Sequence, residues 1–156
     1  MSAERKLKVS FDEPEHGWIA ITMSADDEQF MLITSHVPCD PISELAVALN
    51  KILEGYSEAT VRWTEEPAEY EFVFRVSEGS LYLDVYEVTG IQGGIRRNSV
   101  FSFIGMRDQV LVSFWRALRE LQGRYDPAEY ERRWREPFPT REVEVLTQRL
   151  SALKHG

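Results

Sequence analysis

The chain has 156 residues, of which 43% are apolar, 12% aromatic and 28% charged, with a formal net charge of −8. That length sits at the common size of one domain and buries enough surface to fold without a metal or disulfide staple. The longest apolar runs, such as Phe30 to Ile33, are too short to span a membrane, and the charged start MSAERKLK is not a secretory signal. The lone cysteine, Cys39, excludes an internal disulfide and suits a reducing compartment, so the expectation is one cytoplasmic domain over residues 1–156.

Charge is divided unevenly. Residues up to Gln92 hold 6 basic and 18 acidic side chains, a balance of −12, whereas the remainder hold 12 and 8, a balance of +4. Nucleic-acid binding needs a basic face, and the first part is the opposite. In the second part arginines alternate with glutamates, as on a solvated helix surface. A −12 segment would instead attract a basic partner and speed the encounter with it.

The first half reads as strands. Leu7 to Phe11 and Trp18 to Met23 are short apolar-rich runs, Asp26-Asp27 marks a turn, and Phe30 to Val37 follows as a third strand. Then the period changes. Asp40 supplies a capping oxygen, Pro41 fits the first helical position, and Ile42, Leu45, Leu49, Ile52 and Leu53 share one helix face up to Gly55. Alternation returns in Val61 and Trp63, and Glu65-Glu66-Pro67 breaks that strand. Tyr70, Phe72, Phe74 and Val76 line one face of the next strand; Glu78-Gly79 turns the chain, and Leu81, Leu83 and Val85 return as a hairpin. Thr89 to Arg97, with three glycines and two arginines, reads as an exposed loop before a last strand, Val100 to Ile104. Arg107 to Gly123 is a helix with Leu111, Phe114, Leu118 and Leu121 inward and Trp115 beside them. Asp126-Pro127 opens a short helix to Arg135, Pro137 and Pro139 interrupt, and Thr140 caps a final helix carrying Val143, Leu146, Leu150 and Leu153.

Strands joined by short turns pair antiparallel, and the amphipathic helices must cover one face of their sheet. The expected fold is therefore α+β: a mostly antiparallel six- or seven-stranded sheet with helices packed on one face. The other face would carry Arg62, Thr64, Glu71, Arg75, Tyr82, Asp84 and Tyr86. Two tyrosines among charges on a flat surface suit a partner interface, and Arg75, Tyr82, Asp84 and Tyr86 are the expected contact residues.

The chemical candidates resolve into structural roles. His36-x-x-Cys39 lacks the further ligands that zinc needs, so a strand-end histidine and a small buried thiol explain the pair. His155 is next to a chain end. Ser99, Ser102 and Ser113 lack the context of a nucleophile, and neighbouring Glu65 and Glu66 in a strand point to opposite faces. Gly90-Ile91-Gln92-Gly93-Gly94 leads into a strand rather than the helix that a phosphate loop requires, although Arg96-Arg97 could meet an anion. Trp18, Trp63, Trp115 and Trp134 read as packing anchors, and Arg132, Arg133 and Arg135 as partners of Glu129, Glu131 and Glu136. No catalytic residue, metal or cofactor is expected.

Asp40-Pro41-Ile42 through Leu53-Glu54-Gly55, Trp63-Thr64-Glu65-Glu66-Pro67-Ala68-Glu69-Tyr70, Phe114-Trp115-Arg116-Ala117-Leu118, and Tyr130 to Trp134 with Pro137-Phe138-Pro139 form one set. In that order they resemble a family of small uncharacterised bacterial proteins that look like immunity-type accessory proteins, which neutralise a cognate toxin. The resemblance spans about residues 35–150 and rests on caps, breakers and core aromatics, so it carries over no site residue. It implies a non-catalytic protein-binding module. The alternative is a small-ligand binder or enzyme with a pocket between the helix layer and the sheet, using His36 and Cys39. A third reading is a homo-oligomer paired through strand edges.

Overall fold

The computed structural model describes residues 6–65, 68–91 and 93–154; the expected break at Glu66-Pro67, Gln92 and His155 lie outside them. The elements in chain order are β1 (Lys8–Phe11), β2 (Trp18–Ala25), β3 (Glu28–Ser35), α1 (Pro41–Glu54), β4 (Glu58–Glu65), β5 (Ala68–Ser77), β6 (Ser80–Ile91) and β7 (Gly94–Met106). Three helices follow: α2 (Arg107–Arg124), α3 (Pro127–Trp134) and α4 (Thr140–Lys154). The strands form one seven-stranded sheet in sequence order, every neighbouring pair antiparallel, and the fold is α+β as expected.

Alternation along the strands sets the inside. Val61 and Trp63 of β4, Phe72 and Phe74 of β5, Leu81, Leu83 and Val85 of β6, and Phe101 and Phe103 of β7 are buried in one cluster. Against it α1 packs on β4, α2 meets β1, β6 and β7, and α4 lies across α1 and α2. The joint between β3 and β4 is narrow because α1 intervenes: the register holds a single pair, Ser35 opposite Thr64. Two side chains reinforce it, the Thr34 hydroxyl donating to the Thr64 carbonyl at 3.1 Å and the Ile33 N–H donating to Glu65 Oε2 at 3.0 Å. Past this joint the sheet curls inward. Phe30 of β3 meets Tyr70 and Phe72 of β5 and Phe101 of β7 at ring-centroid distances of 5.8, 6.3 and 6.2 Å.

The α1 boundary follows the sequence signals. Asp40 Oδ1 accepts the Ile42 N–H at 3.0 Å, and Gly55 takes φ 109° at the end, a conformation glycine adopts without strain. The same Asp40 oxygen accepts the Trp134 indole N–H at 3.0 Å, tying α1 to α3. Gly17 makes a second tie, its N–H donating to the Arg133 carbonyl at 2.9 Å at φ 81°; a Cβ there would stand 2.5 Å from His36 Cδ2.

Several expectations need correction. Thr89 to Arg97 is not a loop: β6 and β7 continue pairing to Ile91 opposite Gly94, since glycines at φ 97° and 157° turn the chain within the hairpin. Arg96 and Arg97 therefore lie on a strand. Thr140 is the first residue of α4, not its cap, and its hydroxyl is aimed back at the Phe138 carbonyl at 3.4 Å. Trp18 and Leu153, expected inward, are 39% and 43% exposed. Trp18 faces out because Ile19, its neighbour in the alternation, takes the inward position. Cys39 is exposed, since it precedes the cap residue outside the buried stripe of α1.

Burial holds the Asp40 carboxyl above its ordinary value of 3.8, and the hydrogen bonds from Trp134, Ser43 and Ile42 oppose this without cancelling it. The native state therefore holds this proton more tightly than the unfolded chain, and the stabilisation is lost as the pH rises through the raised value. Asp40→Ala removes the cap and leaves the Trp134 N–H unpaired, so a loss of about 2–4 kcal/mol in urea unfolding at pH 7 is expected. The stability gap between wild type and Asp40→Asn should narrow as the pH rises above about 4; a widening gap would contradict the assigned direction.

Candidate functional site

Because paired residues share a face, the register of β4 to β7 fixes what the outer surface displays. One row runs Glu58, Arg75, Tyr82 and Ile104, the next Thr60, Val73, Asp84 and Ser102, and the third Arg62, Glu71, Tyr86 and Ser99. Arg75, Tyr82, Asp84 and Tyr86, singled out from alternation alone, are thus neighbours on one outward surface. Asp84 is the hub of their polar contacts. Its carboxylate accepts from Arg75 Nη2 and from the Ser102 hydroxyl, both at 2.9 Å. One row on, Glu71 accepts from Arg97 Nε at 2.9 Å, and this contact raises the Arg97 guanidinium. A β-bulge between Val85 and Tyr86 shifts the register of β7, leaving Val100 exposed.

Tyr82 and Tyr86 are half-buried and stand opposite Arg75 and Glu71 of these ion pairs in the register. Among the described residues, four carboxylates (Glu58, Glu69, Glu71, Asp84) face three guanidiniums (Arg62, Arg75, Arg97), so their charges nearly balance although the chain is at −8. The acidic excess lies elsewhere, including the turn Asp26-Asp27-Glu28 between β2 and β3.

Sequence reasoning overlooked a second group on the same outer face. Trp18, Met31 and Ile33 are 39%, 60% and 46% exposed, and the register of β2 with β3 sets Met31 opposite Thr22, Ile33 opposite Ala20 and Ser35 opposite Trp18. Ser35 pairs in turn with Thr64, which puts this apolar group on the same side of the sheet as the outer face of β4 to β7. The runs Trp18 to Ile21 and Phe30 to Ile33 are apolar at successive positions, which conceals which half points outward.

His36 and Cys39 do not form a common site. The His36 ring stacks edge-on against Trp134 at 6.0 Å, and its Nδ1 is 3.8 Å from Glu136 Oε1. Cys39 is exposed and meets Arg62 Nη2 at 3.7 Å across from β4. Neither residue lines the clefts beside α1, between α2 and α4, or between β1 and α2. Among the described residues no group of three His, Cys, Asp or Glu side chains could hold a metal ion. Asp40, the most buried carboxylate nearby, has both oxygens occupied by the cap, Ser43 and Trp134, which makes it a joint rather than a base. Arg132 and Arg133 both engage Glu129, and that double contact lowers the Glu129 carboxyl. No helix is long and apolar enough to cross a membrane among the described residues.

Comparison with known proteins finds no matching family model, no matching curated protein and no matching solved structure.

The face should behave as a solvated surface in the free protein. Arg75 is 53% exposed and Asp84 20%, so a double-mutant cycle on this pair should give less than about 1 kcal/mol of coupling that falls with added salt. A coupling several times larger would mark the pair as a structural element instead.

Proposed function

We propose that this chain is a non-catalytic protein-binding module that docks another protein on the outer face of its sheet, as an immunity-type protein holds a cognate toxin. The observation that carries the reading is that Tyr82 and Tyr86, and the exposed Trp18, Met31 and Ile33, all belong to the side of the sheet opposite the helices. Exposed apolar groups gathered on one surface gain free energy when a partner covers them. Tyrosine adds contact area at low cost in side-chain entropy. The ordered pairs Arg75–Asp84 and Arg97–Glu71 supply polar groups that can fix the register of a partner. With 26 acidic against 18 basic residues, long-range attraction favours a basic partner, while the balanced face does not depend on net charge for contact.

The test is direct binding to the protein encoded by the adjacent gene, followed by calorimetry and light scattering. A stoichiometric complex is expected at low and physiological salt. Tyr82→Ala and Tyr86→Ala should each weaken it by about 2 kcal/mol or more while leaving the melting temperature within a few degrees. No complex at either salt, or a complex indifferent to both substitutions, would contradict the reading; light scattering showing a self-associated chain that buries this face would favour a homo-oligomer.

A further inference from the structure

A separate concavity is lined by none of the residues named for the docking face. Between β1, the end of β7 and the helices α2 and α4 lies a cleft of about 520 Å³. That size is within the range of small-molecule sites, about 300–1,000 Å³. Its floor is apolar: Leu7, Val110 and Leu150 are 6%, 1% and 6% exposed. Gly105 borders it, and a Cβ at that position would stand 2.8 Å from Phe103 Cε1 and 3.1 Å from Val110 Cγ2, so the bare backbone lets these side chains keep their places.

The rim is cationic. Lys6, Lys8 and Arg116 border the cleft, and none of them makes an ion pair among the described residues. Elsewhere arginines such as Arg75, Arg97, Arg124, Arg132 and Arg149 each find a carboxylate. The carboxylate of the rim, Asp108, is already engaged by Arg107 at 2.8 Å. In a chain at −8, three cations without a carboxylate partner beside an apolar floor are complementary to one class of molecule: an anionic head joined to a hydrocarbon tail.

We infer that this cleft binds a single-chain anionic amphiphile of the fatty-carboxylate class, its tail on Leu7, Val110 and Leu150 and its head among Lys6, Lys8 and Arg116. Direct contact of the head with these exposed cations makes the affinity salt-dependent.

The test is calorimetric titration of the full chain with decanoate, decanol and decyltrimethylammonium, each below its aggregation concentration. Saturable one-to-one binding of decanoate is expected, with decanol weaker by roughly tenfold and the cation weaker still. Arg116→Glu and Lys8→Glu, both at exposed positions, should each weaken decanoate by roughly tenfold, and Val112→Trp should obstruct the cleft and abolish binding. Circular dichroism checks that each variant is folded. Absence of saturable decanoate binding would overturn the assignment. So would equal binding of the three probes, or undiminished binding by both charge-reversed variants.

Discussion

The period-two alternation of β4 to β7 is the constraint from which the other features follow. Successive residues must point to opposite faces, so a strand that buries Phe72 and Phe74 necessarily presents Glu71, Val73 and Arg75 to the other side. The inward rings need a cover, and α1 and α2 supply it on that side, with α4 packed across both. The outer face is left with side chains of a different kind: paired charges, tyrosines and hydroxyls. A one-residue slip of any central strand would exchange the two sets, in β5 placing Arg75 where Phe74 now meets Phe114 in the core, and this penalty locks the register.

The sheet alone does not set the shape of the molecule. β3 and β4 share one registered pair, and the chain between them is occupied by α1, so the two parts of the sheet can bend about that joint. Its angle is held by contacts distant in sequence. Phe30 rests on the aromatic rings of β5 and β7, Asp40 couples the start of α1 to Trp134, and Gly17 lets the loop before β2 approach α3 and His36. These ties explain why His36, Asp40 and Tyr130 gather at one place without reactive geometry. Burial and the nearby Asp40 carboxylate both push the Tyr130 phenol up, which keeps it neutral.

Much of this was legible in the residues. The caps Asp40 and Asp126 with their following prolines, the Glu78-Gly79 turn, and the inward stripes of α1 and α2 all lie where the patterns set them. Arg75, Tyr82, Asp84 and Tyr86 emerged together because alternation is a local property. What escaped depends on tertiary context. The glycines of residues 90–94 have the composition of a loop and become a hairpin end only because β6 and β7 stay paired. Trp18, Met31 and Ile33 belong to runs apolar on both faces, and only the packing of β2 and β3 against the core decides which half is left outside. The cleft beside α2 joins residues from both ends of the chain, a proximity no local pattern encodes.

Two surfaces thus coexist on one scaffold, a broad outward face suited to a protein and a confined apolar cleft with a cationic rim. The claim that the protein works through the first is central. Hydroxyl-radical footprinting of the free chain and of its complex tests it most directly, because the tyrosines report by position. Tyr82 and Tyr86 should lose reactivity on complex formation, whereas Tyr56, 54% exposed just past α1, should keep its own. Unchanged reactivity at Tyr82 and Tyr86 in a complex that shields Tyr56 would contradict the account and transfer the contact to the helical side.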